Sequence, residues 1–164
     1  TLTMAYQNDG GAAAIADSYS DFAIAFSPEA FEGLTVGYAK SDNQVAATAD
    51  SDKTTYYVKY AVGGFTLGYQ ASEADHDTAS SSQDSMAYGI TYAVNDDLSI
   101  SYGEREVEYV KASAVNVTED GEGIAVAYTM GSMKIAGNRN EVTANGGTTG
   151  SDDSMTEIAV SFAF

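Results

Sequence analysis

A few side chains interrupt an otherwise bland register of this sequence. Lys59, Arg105, Lys134 and Glu157 carry charge, and Tyr57 and Gln70 carry polar groups, at alternate positions shared with Ala, Gly, Ser and Thr. Charges spread over one face of a sheet create a field that attracts or repels small ions, without making or breaking a bond. A reactive centre needs closer company. His76, the single histidine, stands between Asp75 and Asp77, and an Asp–His or Ser–His pair is the minimum for general-base or nucleophilic work. A lone histidine among loop acids is far more often simply solvated. The segments "EADHDTAS" (73–80) and "DSD" (50–52) lack the spaced ligands and glycine of a calcium loop. With no Cys in the chain, disulfides and Cys-based zinc or redox sites are excluded. No catalytic residue and no organic cofactor is expected.

The elements that must carry these residues are strands. Period-two alternation marks ten segments: 1–7, 21–27, 34–40, 54–62, 65–71, 85–94, 98–105, 123–130, 133–138 and 156–164. Short connections ("PEAFEG", "GG", "NDD", "GS") alternate with long ones over 8–20, 41–53, 72–84, 106–122 and 139–155. That rhythm predicts antiparallel hairpins with one trim end and one elaborate end. The hairpins "YYVKYAVGGFTLGY", "YGITYAVNDDLSISY" and "IAVAYTMGSMKIAG" repeat one unit. Phe26, Tyr60, Tyr92 and Tyr128 precede the short turns, while Tyr38, Tyr69 and Tyr102 follow them. No linker interrupts the repetition, so residues 1–164 read as a single domain.

One parity of every segment is aliphatic or aromatic, and the other is Ala, Gly, Ser and Thr with few charges. Two architectures fit. In a soluble β-sandwich the apolar face is a core and the other face meets water. In an antiparallel up-and-down transmembrane β-barrel the apolar face meets lipid and the other lines a lumen. A solvated face rich in Ala and Gly has no physical motive, and tyrosines suit the membrane interface, where the ring sits in lipid and the hydroxyl meets headgroups. The barrel is therefore expected, with Lys59, Arg105, Lys134, Glu157, Gln70 and Tyr57 facing the lumen. A lining this small leaves unfilled volume in a narrow barrel, which favours a wider one of which these ten strands are a part. Spanning strands need ~9–11 residues, so the shorter segments must extend into the long connections. Val107 and Tyr109 put apolar residues on the small-residue parity and suggest a bulge next to Arg105.

The chain has 24 acids and 7 bases, a formal charge of −17. That balance disfavours nucleic acid, whose phosphates dominate binding. Most of the acids fall in the long connections. They form an acidic rim that concentrates cations and could hold Ca²⁺ or Mg²⁺; acidic, Ser- and Gly-rich loops that merely stay solvated are the plainer expectation.

The ending "IAVSFAF" (158–164) resembles the C-terminal signature of Gram-negative outer-membrane barrels, with Ile158, Val160 and Phe162 alternating toward a terminal Phe164. With five long and four short connections, the chain is similar to the C-terminal ten strands of a trimeric general diffusion porin of roughly sixteen strands. The resemblance covers the chain as a pattern and reaches motif level only in the last strand. It implies a bacterial outer-membrane location, where Ca²⁺ or Mg²⁺ on the acidic rim would bridge to lipopolysaccharide phosphates, a homotrimer, and a passive water-filled channel for ions and small hydrophilic solutes. It also implies recognition of Ile158, Val160, Phe162 and Phe164 by the barrel-assembly machinery. The inward acidic loop that narrows such porins would lie upstream of Thr1, so no residue here inherits that role. The alternative from another class is a non-channel surface barrel or soluble β-sandwich that adheres through its acidic loops.

Overall fold

The computed structural model describes residues 2–8, 18–44, 51–76, 82–111 and 114–163. Ten antiparallel strands form one sheet in sequential order: β1 (Leu2–Asn8), β2 (Ser18–Phe26), β3 (Leu34–Gln44), β4 (Ser51–Val62), β5 (Phe65–His76), β6 (Ser82–Ala93), β7 (Leu98–Val110), β8 (Val117–Met130), β9 (Met133–Thr143) and β10 (Asp153–Phe162). β1 pairs only with β2 and β10 only with β9, so the sheet is open.

The alternation that marks each strand is the cause of the sheet. Tyr, Val, Ile and Phe fit a pleated surface, and the short loops hold it in register. Gly63 and Gly131 open the two-residue loops after β4 and β8 with φ of 56° and 60°, the conformation that a tight hairpin of type II′ demands at its first loop position. Between β6 and β7 the Asn95 Oδ1 accepts from the backbone N–H groups of Asp97 and Leu98, both at 2.9 Å, which closes the turn without glycine.

Every expected strand is present, and the long-connection ends run further than the apolar pattern. β4 begins at Ser51, β5 continues to His76, β7 to Val110 and β8 starts at Val117. Strands of 9 to 14 residues from β2 onward meet the length that a spanning strand needs, about 9–11 residues. The extensions carry "SEADH", "EREVEYV" and "VTEDGEG", whose acids, Glu119 excepted, alternate with uncharged or basic residues. Period two persists there; only the apolar member has been replaced by a carboxylate.

This places the acids differently from a rim of loops. Asp42, Asp52, Glu73, Asp75, Asp84, Glu104, Glu106, Glu108, Asp120, Glu122 and Glu141 sit on strands. By register they share the face of Tyr56, Val58, Tyr69, Tyr88 and Ile124. The expected bulge near Arg105 is also absent. β7 pairs without interruption with β6 from Leu98's neighbour Ser99 to Val110, and with β8 up to Tyr109.

The sheet has no second layer among the described residues. Among the described residues Val107 is the only buried hydrophobic one, at 5% exposure, and no large side chain is fully enclosed. Ile24, Val36, Val58, Leu67, Ile90, Val126 and Val160 all lie open on one continuous face. A soluble sandwich would have covered them with a second sheet. A soluble monomer rarely exposes more than a few hundred Å² of contiguous apolar surface; an uncovered apolar face spanning the whole sheet requires lipid. Among the described residues no helix is long and apolar enough to cross a membrane, and strands are what cross here.

Candidate functional site

The two faces divide the labour. On the apolar face, Tyr60, Tyr92 and Tyr128 stand within a few residues of the short turns, with Phe26 in the corresponding place on β2. Phe65 stacks on Tyr92 with ring centroids 4.4 Å apart. Tyr38, Tyr69 and Tyr102 lie one turn-to-turn step further along, as the repeat predicts. The register adds Tyr56 and Tyr88 to them: Tyr38 pairs with Tyr56 at 5.1 Å between centroids, and Tyr69 pairs with Tyr88. Tyr88 and Tyr102 both donate to the Glu104 carboxylate, and Tyr102 also reaches Glu122 at 3.1 Å. These tyrosine hydroxyls mark the line where the apolar band gives way to acids. That is the arrangement expected of rings whose bodies prefer hydrocarbon and whose tips prefer a polar layer.

The opposite face carries every residue singled out at alternate small-residue positions. Cross-strand pairing puts Gly37, Tyr57, Gln70, Ala87, Arg105 and Gly121 in one row. The next row runs Thr35, Lys59, Gly68, Gly89, Gly103, Gly123 and Asn140. Tyr57, Gln70 and Arg105 thus share a level, and Lys59 is one step toward the short turns. Lys134 lies far from them on β9, between Thr129 and Ser161, and Glu157 faces Asn138 on β10. The face holds no ring of charge. Lys53 and Asn138 share it, as do Asp21, Glu119 and Asp153, which alternation by apolar residues alone did not flag.

Glycines let the larger side chains lie flat. A Cβ at Gly37 would fall 1.9 Å from Cε1 of Tyr57, so the tyrosine ring lies directly over that glycine. Asn140 covers Gly123 in the same way, its Oδ1 at 2.3 Å from where a Cβ would be. Gln70 donates to Ser72 Oγ at 3.3 Å, and Asn138 donates to Glu157 at 3.4 Å, so these groups also run along the sheet.

One place on this face is built up. Arg105 pairs with the carboxylate of Glu119, which also accepts from the Tyr109 hydroxyl at 3.2 Å and from the Gly146 N–H at 2.8 Å. Glu119 is 3% exposed although it lies on an open sheet. The cover is the loop between β9 and β10, which reaches across the sheet to Glu119 on β8 and Tyr109 on β7; Val107, paired with Glu119, is buried as well. That loop explains the apolar residues next to Arg105 without a bulge. Glu119 sits in "NVTEDGEG", which reads as a long acidic connection; its role follows only once β8 is extended to Val117.

His76 ends β5 opposite Ser51, and its backbone N–H approaches Ser82 Oγ at 3.4 Å. Among the described residues no group of three or more His, Asp or Glu could hold a metal ion. Ile158, Val160 and Phe162 lie exposed on the apolar face of β10; Phe164 lies outside the described residues.

The comparisons with known proteins agree with this geometry. The fold is similar to that of an anion-selective porin from Comamonas acidovorans, with a TM-score of 0.74 and 14% sequence identity, over 90% of this chain and 49% of that one. The chain thus spans about half the length of that porin. No curated protein matches the sequence. The family model for Gram-negative porins matches residues 1–132. With an uncovered apolar face, a small-residue face, tyrosines at the boundary and that match, the chain belongs to the Gram-negative porin family, antiparallel β-barrels of the bacterial outer membrane.

Proposed function

We propose that the protein to which these strands belong forms a passive, water-filled channel for ions and small hydrophilic solutes, and that the small-residue face is the channel wall. The observation that carries this reading is the pair of faces on a single-layered sheet. Lipid is the one environment that satisfies the apolar face, which leaves the Ala, Gly, Ser and Thr face to line water. The open sheet, and a span of about half the related porin, support reading the chain as the C-terminal part of a larger barrel. Homotrimerisation and assembly through Ile158, Val160, Phe162 and Phe164 are the corresponding expectations for the whole protein.

The wall residues are Lys59, Arg105, Lys134, Glu157, Gln70 and Tyr57, joined by Lys53, Asn138 and Asn140. Its bases (Lys53, Lys59, Arg105, Lys134) are matched by Asp21, Glu119, Asp153 and Glu157, while the other strand acids lie on the lipid-side parity. The formal charge of −17 is therefore no guide to ion preference. Selectivity rests on the placement of single wall charges, because a charge near a confined water column acts over about a Debye length. The related porin is named for anion selectivity; an even balance of charge on this wall supports a weaker preference.

The test is single-channel recording in planar bilayers with the full-length, natively assembled protein. Stepwise, voltage-tolerant conductance is expected. Silent bilayers from protein that shows heat-modifiable mobility, the mark of a folded barrel, would refute the channel.

A further inference from the structure

The loop of residues 144–152 is a folded body. At its neck, Asn145 N–H donates to Ser151 O at 2.7 Å and Ala144 N–H to the Asp152 carboxylate at 3.1 Å. Inside, Gly147 and Thr148 donate to Ala144 O at 2.9 and 3.2 Å, and Ser151 donates to Thr148 O at 3.0 Å. Ala144, Gly146, Gly147 and Gly150 all have positive φ, between 51° and 80°, a run of left-handed backbone that winds the chain back on itself.

Its position is as specific as its shape. A hairpin loop between neighbouring strands would ordinarily continue upward from β9 and β10. This one leans across two further strands on the small-residue face. Gly146 N–H meets Glu119 at 2.8 Å, Lys111 Nζ donates to Gly147 O at 3.2 Å, and a Cβ on Gly147 would strike the Tyr109 ring at 2.6 Å. Glu119 is the node, since it holds the loop through Gly146 and the wall through Arg105 and Tyr109 at once. Its burial makes each of those bonds stronger than it would be in water.

We propose that Glu119 is a positioning residue of the channel. It pins the 144–152 loop inward against the wall, and the pinned loop narrows the long-loop mouth. The inference rests on the channel reading, and deepens it by assigning one determinant of the opening's width. The partner is this chain's own loop, held by the charge-assisted hydrogen bond from Gly146 to Glu119, the bond from Lys111 to Gly147 O and the Gly147–Tyr109 contact. Since Gly147 has no Cβ, the loop can approach the ring closely; a side chain there would lift it away.

The experiment uses the full-length assembled protein and two readouts. Hydrogen exchange read by mass spectrometry reports whether the loop is pinned, independently of conduction. Unitary conductance in potassium chloride reports the mouth. In the native protein, amides of 144–152 should exchange slowly. Glu119→Ala should speed them by about tenfold or more, the scale of losing a hydrogen bond to a charged group, and raise unitary conductance. Glu119→Gln keeps an oxygen for Gly146 and should restore most of the protection. Tyr109→Ala, which removes the ring under Gly147, should act in the same direction and serves if Glu119→Ala does not assemble. Fast exchange in the native loop overturns the pinning. Faster exchange in the variants with native conductance overturns the mouth-setting role alone. A native protein with a protected loop and no conductance overturns the channel reading beneath it.

Discussion

Val126 and Ala125 are neighbours on β8 that face opposite ways, and a lysine at each separates lipid from water. Val126 pairs with Ile100 and Gly137, and Ile124 and Tyr128 flank it on the same face. It is 47% exposed on the bare sheet, so nothing among the described residues covers it, and lipid is the cover that the channel reading assigns. Ala125 pairs with Ser101 and Asn138 on the wall. A lysine facing lipid near the bilayer midplane costs about 2–4 kcal/mol, falling to about 0–1 near the interface. Val126 sits inside the tyrosine boundary, so the upper range applies. At about 1.4 kcal/mol per factor of ten, that lowers the folded-to-unfolded ratio roughly 30- to 700-fold. Val126→Lys also discards valine packing against Ile100, a smaller loss of the same sign. Ala125→Lys places its ammonium in the water column and should change stability by no more than about 0.5 kcal/mol. The assay is urea-titrated folding of the full-length protein into phosphatidylcholine vesicles, followed by heat-modifiable mobility. Equal costs for the two lysines, or a larger cost for Ala125→Lys, would refute the face assignment and every wall residue inferred from it.

Gly37→Ala puts a methyl where the Tyr57 ring lies, and because that ring can swing off the open wall the cost should stay near or below about 1 kcal/mol. In a Tyr57→Ala background the same change should be nearly neutral, and a double-mutant cycle with no coupling would contradict the ring-over-glycine contact. Lys59→Glu and Lys134→Glu should each move the reversal potential in a salt gradient toward cation preference, and Glu157→Lys should move it the other way. Unchanged potentials in all three would remove these residues from the wall. Deleting Phe164 should lower the yield of heat-modifiable barrel while expression persists; normal assembly of the deletion would end the proposal of an assembly signal.

Which parts of this were legible in the sequence depends on which member of each alternating pair keeps its character. "YYVKYAVGGFTLGY" (56–69) reads as a hairpin because aromatic and aliphatic residues repeat at period two on both sides of a two-glycine turn. The register then assigns Tyr57, Lys59 and Gln70 to the opposite face with no further information. Upward, the lipid-parity positions turn from Tyr and Ile to Glu and Asp, and a search for apolar alternation stops there. Pairing does not stop, because the backbone ladder needs only extended residues that can form it. Glu104, Glu106 and Glu108 still alternate with Arg105, Val107 and Tyr109.

Seen that way, the apolar residues that suggest a bulge beside Arg105 have another cause, and it lies far off in sequence. Tyr109 is apolar on the wall because a loop nearly forty positions away lies on it, and Val107 is buried beside Glu119, which the same loop reaches. No local period encodes such a contact. It depends on Gly146 and Gly147 taking positive φ, on β8 reaching back to Val117 and on Glu119 pointing to the same side as Val107. Each is individually ordinary. A glycine pair in "ANGGTTG" and an acid in "VTEDGEG" both look like solvated loop, and only the strand register that places Val107 opposite Glu119 turns them into one built feature. The wall's plain residues follow from alternation alone; the narrowing of its mouth follows from the tertiary contact that alternation cannot express.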